Sequence, residues 1–240
     1  MSGANFADGI AVFRGNDLNH IKVLRIKLGE HLVICDGNGT DYECRLTRLG
    51  DNIAEVEIVE GGPSPGEPTI DAVMLASLPK GERAEFIVQK CTEAGAREIV
   101  FFLSERSVSR PDAKSLAKKV DRWGRIAEEA AKQSSRGLIP KVRAVLSLAE
   151  ALDIGVKCDL RLFMYEEGER VPLRAALAGA GEKKTAAIIT GPEGGFERYE
   201  ADLARAAGFD VCSMGPRIFR CETAPLAALT ALMYETGNLD

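Results

Sequence analysis

The rhythm of hydrophobic and polar positions changes once along the chain. In the first part apolar residues come in short bursts. Residues 31–35 are apolar and β-branched, Asp36-Gly37-Asn38-Gly39 is a hairpin signal, and residues 42–46 return as a second strand. Residues 53–59 alternate apolar with acidic or small side chains. Short strands with tight turns over residues 10–60 predict a small β-barrel. Gly61-Gly62-Pro63-Ser64-Pro65-Gly66-Glu67-Pro68 has glycine or proline at six of eight positions and reads as a linker.

Beyond it, strands alternate with helices. Residues 70–78 form a buried-type strand, residues 82–94 a helix with Gly95 just past its end, and residues 98–103 the next strand. Leu116, Val120, Trp123, Ala127 and Ala130 recur at helical spacing, with Lys118, Lys119, Arg122 and Arg125 off that stripe. Residues 159–165 and 185–190 are further strands. A last helix spans residues 224–236, with Leu226, Leu229 and Met233 on one face and Pro225 tolerated in its first turn. This alternation predicts a parallel sheet covered by helices on both faces. The division expected is 1–66 and 67–240.

Two glycine-rich turns stand in the last fifty residues. Thr190-Gly191-Pro192-Glu193-Gly194-Gly195-Phe196 follows one apolar run, and Met214-Gly215-Pro216-Arg217-Ile218-Phe219-Arg220-Cys221-Glu222-Thr223-Ala224 follows another. Either turn alone reads as an ordinary strand-to-helix turn that needs glycine for geometry. As a pair, at one end of a sheet, they suit a nucleotide-like cofactor gripped by main chain. Arg217, Arg220, Glu222 and Glu193 crowd turns that need no charge to fold.

Composition bounds the rest. The chain has 240 residues, 45% hydrophobic and 28% charged, enough for a full core. No apolar run approaches the ~20 residues of a membrane helix, and the N-terminus lacks the layout of a secretory signal. The six cysteines contain no C-x-x-C pair and, with His20 and His31, no zinc spacing; no metal is expected. They read as reduced thiols of a cytoplasmic protein. Net charge is −5, but residues 80–143 hold 15 Lys and Arg against 9 Asp and Glu, whereas residues 1–60 hold 6 against 10. The basic segment is either a phosphate-facing surface or a solvated helix face. A Rossmann G-x-G-x-x-G, a P-loop and a G-x-S-x-G elbow are all missing, and neither histidine lies in the α/β region.

The two turns, in this order, resemble those of the bacterial 16S rRNA (uridine-N3) methyltransferases of the SPOUT class. His20-Ile21-Lys22-Val23-Leu24-Arg25 with Gly29 and Asp36-Gly37 is similar to that family's N-terminal barrel. Lys80-Gly81-Glu82-Arg83, Gln89-Lys90, Glu93-Ala94-Gly95, Ser104-Glu105-Arg106-Ser107 and Gln133-Ser134-Ser135-Arg136 match further segments, so the resemblance covers nearly the whole chain. There are departures. Cys221 stands where Thr is usual and Phe219 where Leu is usual. Glu197 replaces a capping hydroxyl, with Glu200 kept, which predicts loss of a capping box. The family usually begins with a short Arg-containing strand, which this chain, starting Met1-Ser2-Gly3-Ala4, is expected to lack.

The resemblance implies a SPOUT-type α/β domain with a C-terminal trefoil knot, preceded by a PUA-like β-barrel that binds RNA. It implies S-adenosylmethionine held by Tyr165, Glu166, Thr190, Gly191, Pro192, Glu193, Gly194, Gly195, Met214, Gly215, Ile218, Phe219, Cys221, Thr223 and Ala224. Gly194 and Gly195 are expected where backbone must approach the ligand. It implies a homodimer acting on 16S rRNA or the small ribosomal subunit. Arg220 is the expected stabiliser of charge on the uracil, and Glu222 either orients Arg220 or accepts a proton through water; the other reading is an Arg–Glu pair bracing the loop. His20, Lys22 and Arg25 are expected RNA contacts; Arg106 and Arg136 are expected contacts to RNA or to the partner chain, alternatively surface ion pairs. Two other functions stay open: methylation of another RNA, and RNA binding without catalysis.

Overall fold

The computed structural model describes residues 9–240, in two compact units. Residues 1–8, including Met1-Ser2-Gly3-Ala4, lie outside the described residues. The first unit comprises residues up to Glu67 together with Ser135–Ile139. It is built from β1 (Ile10–Phe13), α1 (Gly15–Val23), β2 (His31–Cys35), β3 (Thr40–Leu49) and β4 (Ala54–Pro63). A strand therefore does stand ahead of the first helix, and Arg14 follows it directly. Among the described residues the strands form an open antiparallel sheet, in the order β1-β4-β3-β2. Residues 15–23, read within a run of strands, are helical because Leu18 and Ile21 bury one face while Asn19, His20 and Lys22 face solvent.

Period-two alternation builds the small core. Cys44 and Leu46 on β3 and Ala54 and Val56 on β4 turn inward onto Phe13, Ile21 and Ile34. The β2–β3 turn is closed by Asp36, whose Oδ1 accepts from the Asn38 and Thr40 amides at 2.7 and 3.1 Å.

The expected linker is partly sheet. Gly61, Gly62 and Pro63 finish β4 and pair with Tyr42, Asp41 and Thr40. A Cβ on Gly61 would lie 2.9 Å from the Tyr42 ring, so this glycine marks a close approach within a strand. Ser135–Ile139 adds to the same unit. The Gly39 amide donates to the Gly137 carbonyl at 2.8 Å, and the Ile139 amide to the Gly37 carbonyl at 3.1 Å. Arg136 Nε and Nη2 donate to Glu67 at 3.2 and 2.6 Å, and the Leu138 amide donates to Glu67 Oε1 at 2.9 Å. The Arg136 side chain is only 3% exposed. Arg136 is thus buried against Glu67, an ion pair inside the first unit rather than at the surface.

The second unit contains β5 (Asp71–Ser77), α2 (Arg83–Glu93), β6 (Ala96–Phe102), α3 (Ala113–Gln133), β7 (Lys141–Ala144), α4 (Leu148–Gly155), β8 (Leu160–Met164), β9 (Val171–Pro172), α5 (Leu173–Ala176), β10 (Thr185–Thr190), α6 (Arg198–Ala206), β11 (Asp210–Ser213) and α7 (Thr223–Glu235). Its seven strands are all parallel, in the order β7-β6-β5-β10-β8-β11-β9. β10 thus enters between β5 and β8, a non-sequential placing at the centre of the sheet.

Alternate strand residues feed two cores. Met74, Ile99, Leu162 and Ile188 pack with α2, α3 and α7 on one face, and Leu75, Val100, Phe163 and Ile189 with α4 and α6 on the other. On α3 the buried stripe is Trp123, Ala127 and Ala130, with Leu116 and Val120 only partly covered; Trp123 packs on Phe101 with ring centroids 4.5 Å apart. On α7 the buried seam is Pro225, Ala228, Leu229, Leu232 and Met233, and Leu226 stands at its margin.

Removing one partner of a buried, hydrogen-bonded ion pair leaves the other charge uncompensated. Arg136→Ala is expected to destabilise the first unit by about 3 kcal/mol. Amide exchange at Gly39 in the folded protein checks this. Protection within 1 kcal/mol of wild type would show that the pair contributes no more than an exposed one.

Candidate active site

Because the sheet is parallel, the loops that leave its carboxyl ends gather along one edge. Four of them enclose a cavity of about 670 Å³. The loop after β5 contributes Lys80 and Arg83. That after β8 contributes Tyr165, Glu166 and Arg170. The two glycine turns, after β10 and β11, supply the rest of the wall.

Most of the residues expected to hold a cofactor line this cavity: Tyr165, Glu166, Gly191, Pro192, Glu193, Gly195, Met214, Gly215, Ile218, Phe219, Cys221 and Ala224. Thr190, Gly194 and Thr223 stand outside the lining. Thr190 ends β10, is buried, and its Oγ1 has no partner among the described residues. The two glycines of the first turn differ. Gly195 has φ +69°, and a Cβ there would run into Glu166 Oε1. A Cβ on Gly194 would meet only the Arg106 side chain, at 3.4 Å, an ordinary contact. Of the two, Gly195 is therefore the one whose bare backbone shapes the cavity. Phe196 anchors the turn from below, 4.3 Å from the Phe163 ring centroid to centroid.

The turn after β10 leads into α6, where Glu197 was expected to forfeit a capping box. The box is present: Glu200 Oε2 accepts from the Glu197 amide at 2.8 Å, and the longer Glu197 side chain serves as N-cap in place of a hydroxyl.

Electrostatics tie the two turns together through Arg83. Its Nη1 donates to Glu193 Oε1 at 2.6 Å and its Nε lies 3.6 Å from Glu222 Oε2. Glu193 Oε1 also accepts from the Lys80 amide at 3.0 Å. Burial pushes both carboxyl pKa values up, but these donors outweigh it. The Lys80 amide and Arg83 hold Glu193 below the ordinary carboxylate range. The Cys221 thiol, its own amide, Arg83 and Arg220 do the same for Glu222. Cys221 Sγ donates to Glu222 Oε2 at 3.1 Å, and burial, then the Glu222 carboxylate, pushes its thiol up to about 12. Glu166 is shifted the other way, raised chiefly by burial and further by Glu167.

Glu222 is thus partnered by Arg83, not by Arg220. Arg220 lines the cavity and is exposed; its carbonyl accepts from the Thr223 and Ala224 amides, while its side chain makes no hydrogen bond or ion pair among the described residues. Arg220 makes no hydrogen bond or ion pair with Glu222 among the described residues and acts on it only through space, whereas Cys221 and Arg83 both lie against Glu222 Oε2. Sequence alone assigns no role to Lys80, Arg83, Arg170 or Arg217; Lys80-Gly81-Glu82-Arg83 is legible only as a motif, since nothing local says that a helix start faces a turn 110 residues away.

The expected RNA contacts scatter. His20 and Arg25 are exposed at the end of α1, Arg25 with φ +55°, while Lys22 Nζ donates to the Asp51 carbonyl at 2.9 Å. Arg106 lies behind the first glycine turn, with Nε donating to Glu197 and Nη1 to the Gly194 carbonyl.

Comparison with known proteins agrees with this architecture. An RNA methyltransferase domain model matches residues 66–233, and an RNA methyltransferase PUA domain model matches residues 13–59. Ribosomal RNA small subunit methyltransferase E of Bacillus subtilis is 34% identical over 94% of this chain and 90% of its own. A crystal structure of ribosomal RNA small subunit methyltransferase E from Neisseria gonorrhoeae, bound to S-adenosyl methionine, superposes with TM-score 0.76 at 31% identity, covering 97% of this chain and 93% of that one. A putative methyltransferase from Legionella pneumophila, in complex with the same cofactor, gives TM-score 0.76 at 27% identity over 98% and 93%. A seven-stranded parallel sheet with β10 at its centre, two glycine turns closing one cavity, and relatives this similar over almost their whole length place the chain in the ribosomal RNA small subunit methyltransferase E family of RNA methyltransferases.

Proposed function

We propose that the chain methylates N3 of a uridine in 16S rRNA of the small ribosomal subunit, using S-adenosylmethionine. One observation carries this reading: both glycine turns converge on a single cavity lined by Arg220, whose side chain has no partner among the described residues. The cavity suits the cofactor. Gly215 leaves its backbone open to it, Gly195 lines it while making room for Glu166, and Glu166 stands ready for hydroxyl or amino groups. Bound there, the cofactor supplies an electrophilic methyl on a sulfonium.

The chain's own residues then have separable tasks. Uridine N3 is a poor nucleophile until its proton leaves, and loss of that proton puts negative charge on the uracil carbonyls. Arg220, free at the cavity wall, is the group placed to stabilise that charge. Glu222, held ionised by Arg83 and Cys221, keeps Arg83 in place and remains able to accept a proton at low basicity. Arg83 ties the Glu193 turn to the Glu222 turn, so that both close on one ligand.

In this reading the first unit, as a PUA-like domain, reads RNA through His20 and Arg25, and Lys118, Lys119, Arg122 and Arg125 of α3 add a basic face; Arg122 is shared with Glu85 at 2.8 Å. A homodimer is part of it. The thirteen residues of α7 carry no charge but Glu235, and Tyr234 is 70% exposed on it. So is a cytoplasmic setting, which six free cysteines suit. No helix among the described residues is long and apolar enough to cross a membrane. Incubation with labelled S-adenosylmethionine and separated small subunits, large subunits and tRNA, followed by digestion to nucleosides, tests the whole reading. Label in 3-methyluridine from small subunits is the expected result; label in another RNA or none would replace it.

Two variants divide binding from chemistry. Gly195→Val is expected to abolish cofactor binding in calorimetric titration, whereas Gly194→Ala retains it; equal affinities for the two would remove Gly195 from the ligand. Arg220→Ala is expected to keep cofactor affinity and lose about 10²-fold or more in single-turnover rate at saturating substrate. A near wild-type rate would leave Arg220 without a part in the chemistry.

A further inference from the structure

Arg106 belongs to a loop that is itself firmly held. Ser77, Ser104 and Ser107 form a buried triangle of hydroxyls, at 2.9, 2.9 and 3.1 Å, where β5 and β6 end. The Glu105 amide donates to the buried Glu200 carboxylate at 3.0 Å, and the Tyr199 hydroxyl donates to Glu105 Oε2 at 3.0 Å. From this loop the Arg106 guanidinium reaches the turn after β10, with Nη1 on the Gly194 carbonyl at 2.9 Å and Nε on Glu197 Oε1 at 2.8 Å.

The peptide it grips is the one that joins Gly194 to Gly195. Its carbonyl faces Arg106, while its amide, that of Gly195, donates to the Pro192 carbonyl at 3.0 Å and closes the turn. On the far side Gly195 lines the cavity against Glu166. Without side chains, two adjacent glycines have nothing of their own to set this peptide's plane. A guanidinium with two N–H bonds in fixed directions does set it, in a way that a lysine ammonium does not.

We propose that Arg106 is a positioning residue for the cofactor turn: it holds the Gly194–Gly195 peptide in the orientation that keeps the cavity open beside Glu166. The inference rests on the reading of that cavity as the S-adenosylmethionine site. It replaces an RNA contact or an idle surface ion pair as the role of this side chain.

The test uses the full chain with Arg106→Gln and Arg106→Lys, measuring S-adenosylmethionine affinity by calorimetry, KM for small subunits, the salt dependence of RNA binding, and the thermal midpoint. Arg106→Gln is expected to raise the cofactor Kd about tenfold, the loss of one charged hydrogen bond. KM for small subunits, the salt slope and the thermal midpoint stay as in wild type. Arg106→Lys keeps the charge but not the fork and recovers only part of the affinity. Glu197→Gln, which frees one side of the guanidinium, shifts Kd in the same direction. Unchanged cofactor affinity with a raised KM and a flatter salt slope would make Arg106 an RNA contact. Unchanged values throughout would make it a surface ion pair. A wild-type chain that binds no S-adenosylmethionine would overturn the reading of the cavity and this inference with it; bound wild type beside unaffected variants overturns this inference alone.

Discussion

β10 is hydrogen-bonded to β5 on one side and β8 on the other, and every residue from Ala186 to Thr190 is buried. A strand so enclosed satisfies all its backbone groups internally and has no freedom to slip, since a one-residue shift would exchange Ile188 and Ile189 between the two cores. The first glycine turn therefore leaves the sheet from a fixed point. The second leaves β11, one strand beyond β8, in the same direction. Parallel pairing alone brings the two turns to one edge, and the cavity between them is a consequence of that geometry.

Glycine turns give access to a ligand but little rigidity, and the structure supplies rigidity from elsewhere. Arg83 approaches from the start of α2 and joins Glu193 to Glu222. Arg106 approaches from the loop after β6 and holds the Gly194 carbonyl. Both arginines are partly exposed, so the value of each pair for global stability is small. Their effect is local, on the orientation of loops that have few buried contacts of their own. Arg220 differs from both in that its side chain has no hydrogen-bond or ion-pair partner among the described residues.

Three arginines that look alike in sequence thus have three fates. Arg136 is buried against Glu67, Arg106 braces a turn, and Arg220 stays open at a cavity wall. Each follows from which carboxylate the fold brings within reach, across separations of 69 residues in one case and 91 in another. No local signal distinguishes them, because residue type specifies charge and reach but not the neighbour.

Much of the architecture was legible in the amino-acid sequence because it depends on short-range rules. Period-two and 3.6-residue spacing set the strands and helices, and glycine and proline punctuated them. β10 spans the expected residues 185–190, α2 and α7 lie within a residue of their expected bounds, and α3 contains the expected stripe from Leu116 to Ala130. The glycine turns with their charged neighbours located the cavity wall. Local rules misled where tertiary contact overrode them. Gly61-Gly62-Pro63 became the end of a strand because Tyr42 lies across it, and Glu197 kept a capping box because its longer side chain still reaches. Only the folded chain decided which glycine faces the cavity, that Arg83 rather than Arg220 partners Glu222, and that Ser135–Ile139 joins the first unit. Those are contacts between segments far apart in sequence, and they exist only once the sheet order has set which loops meet.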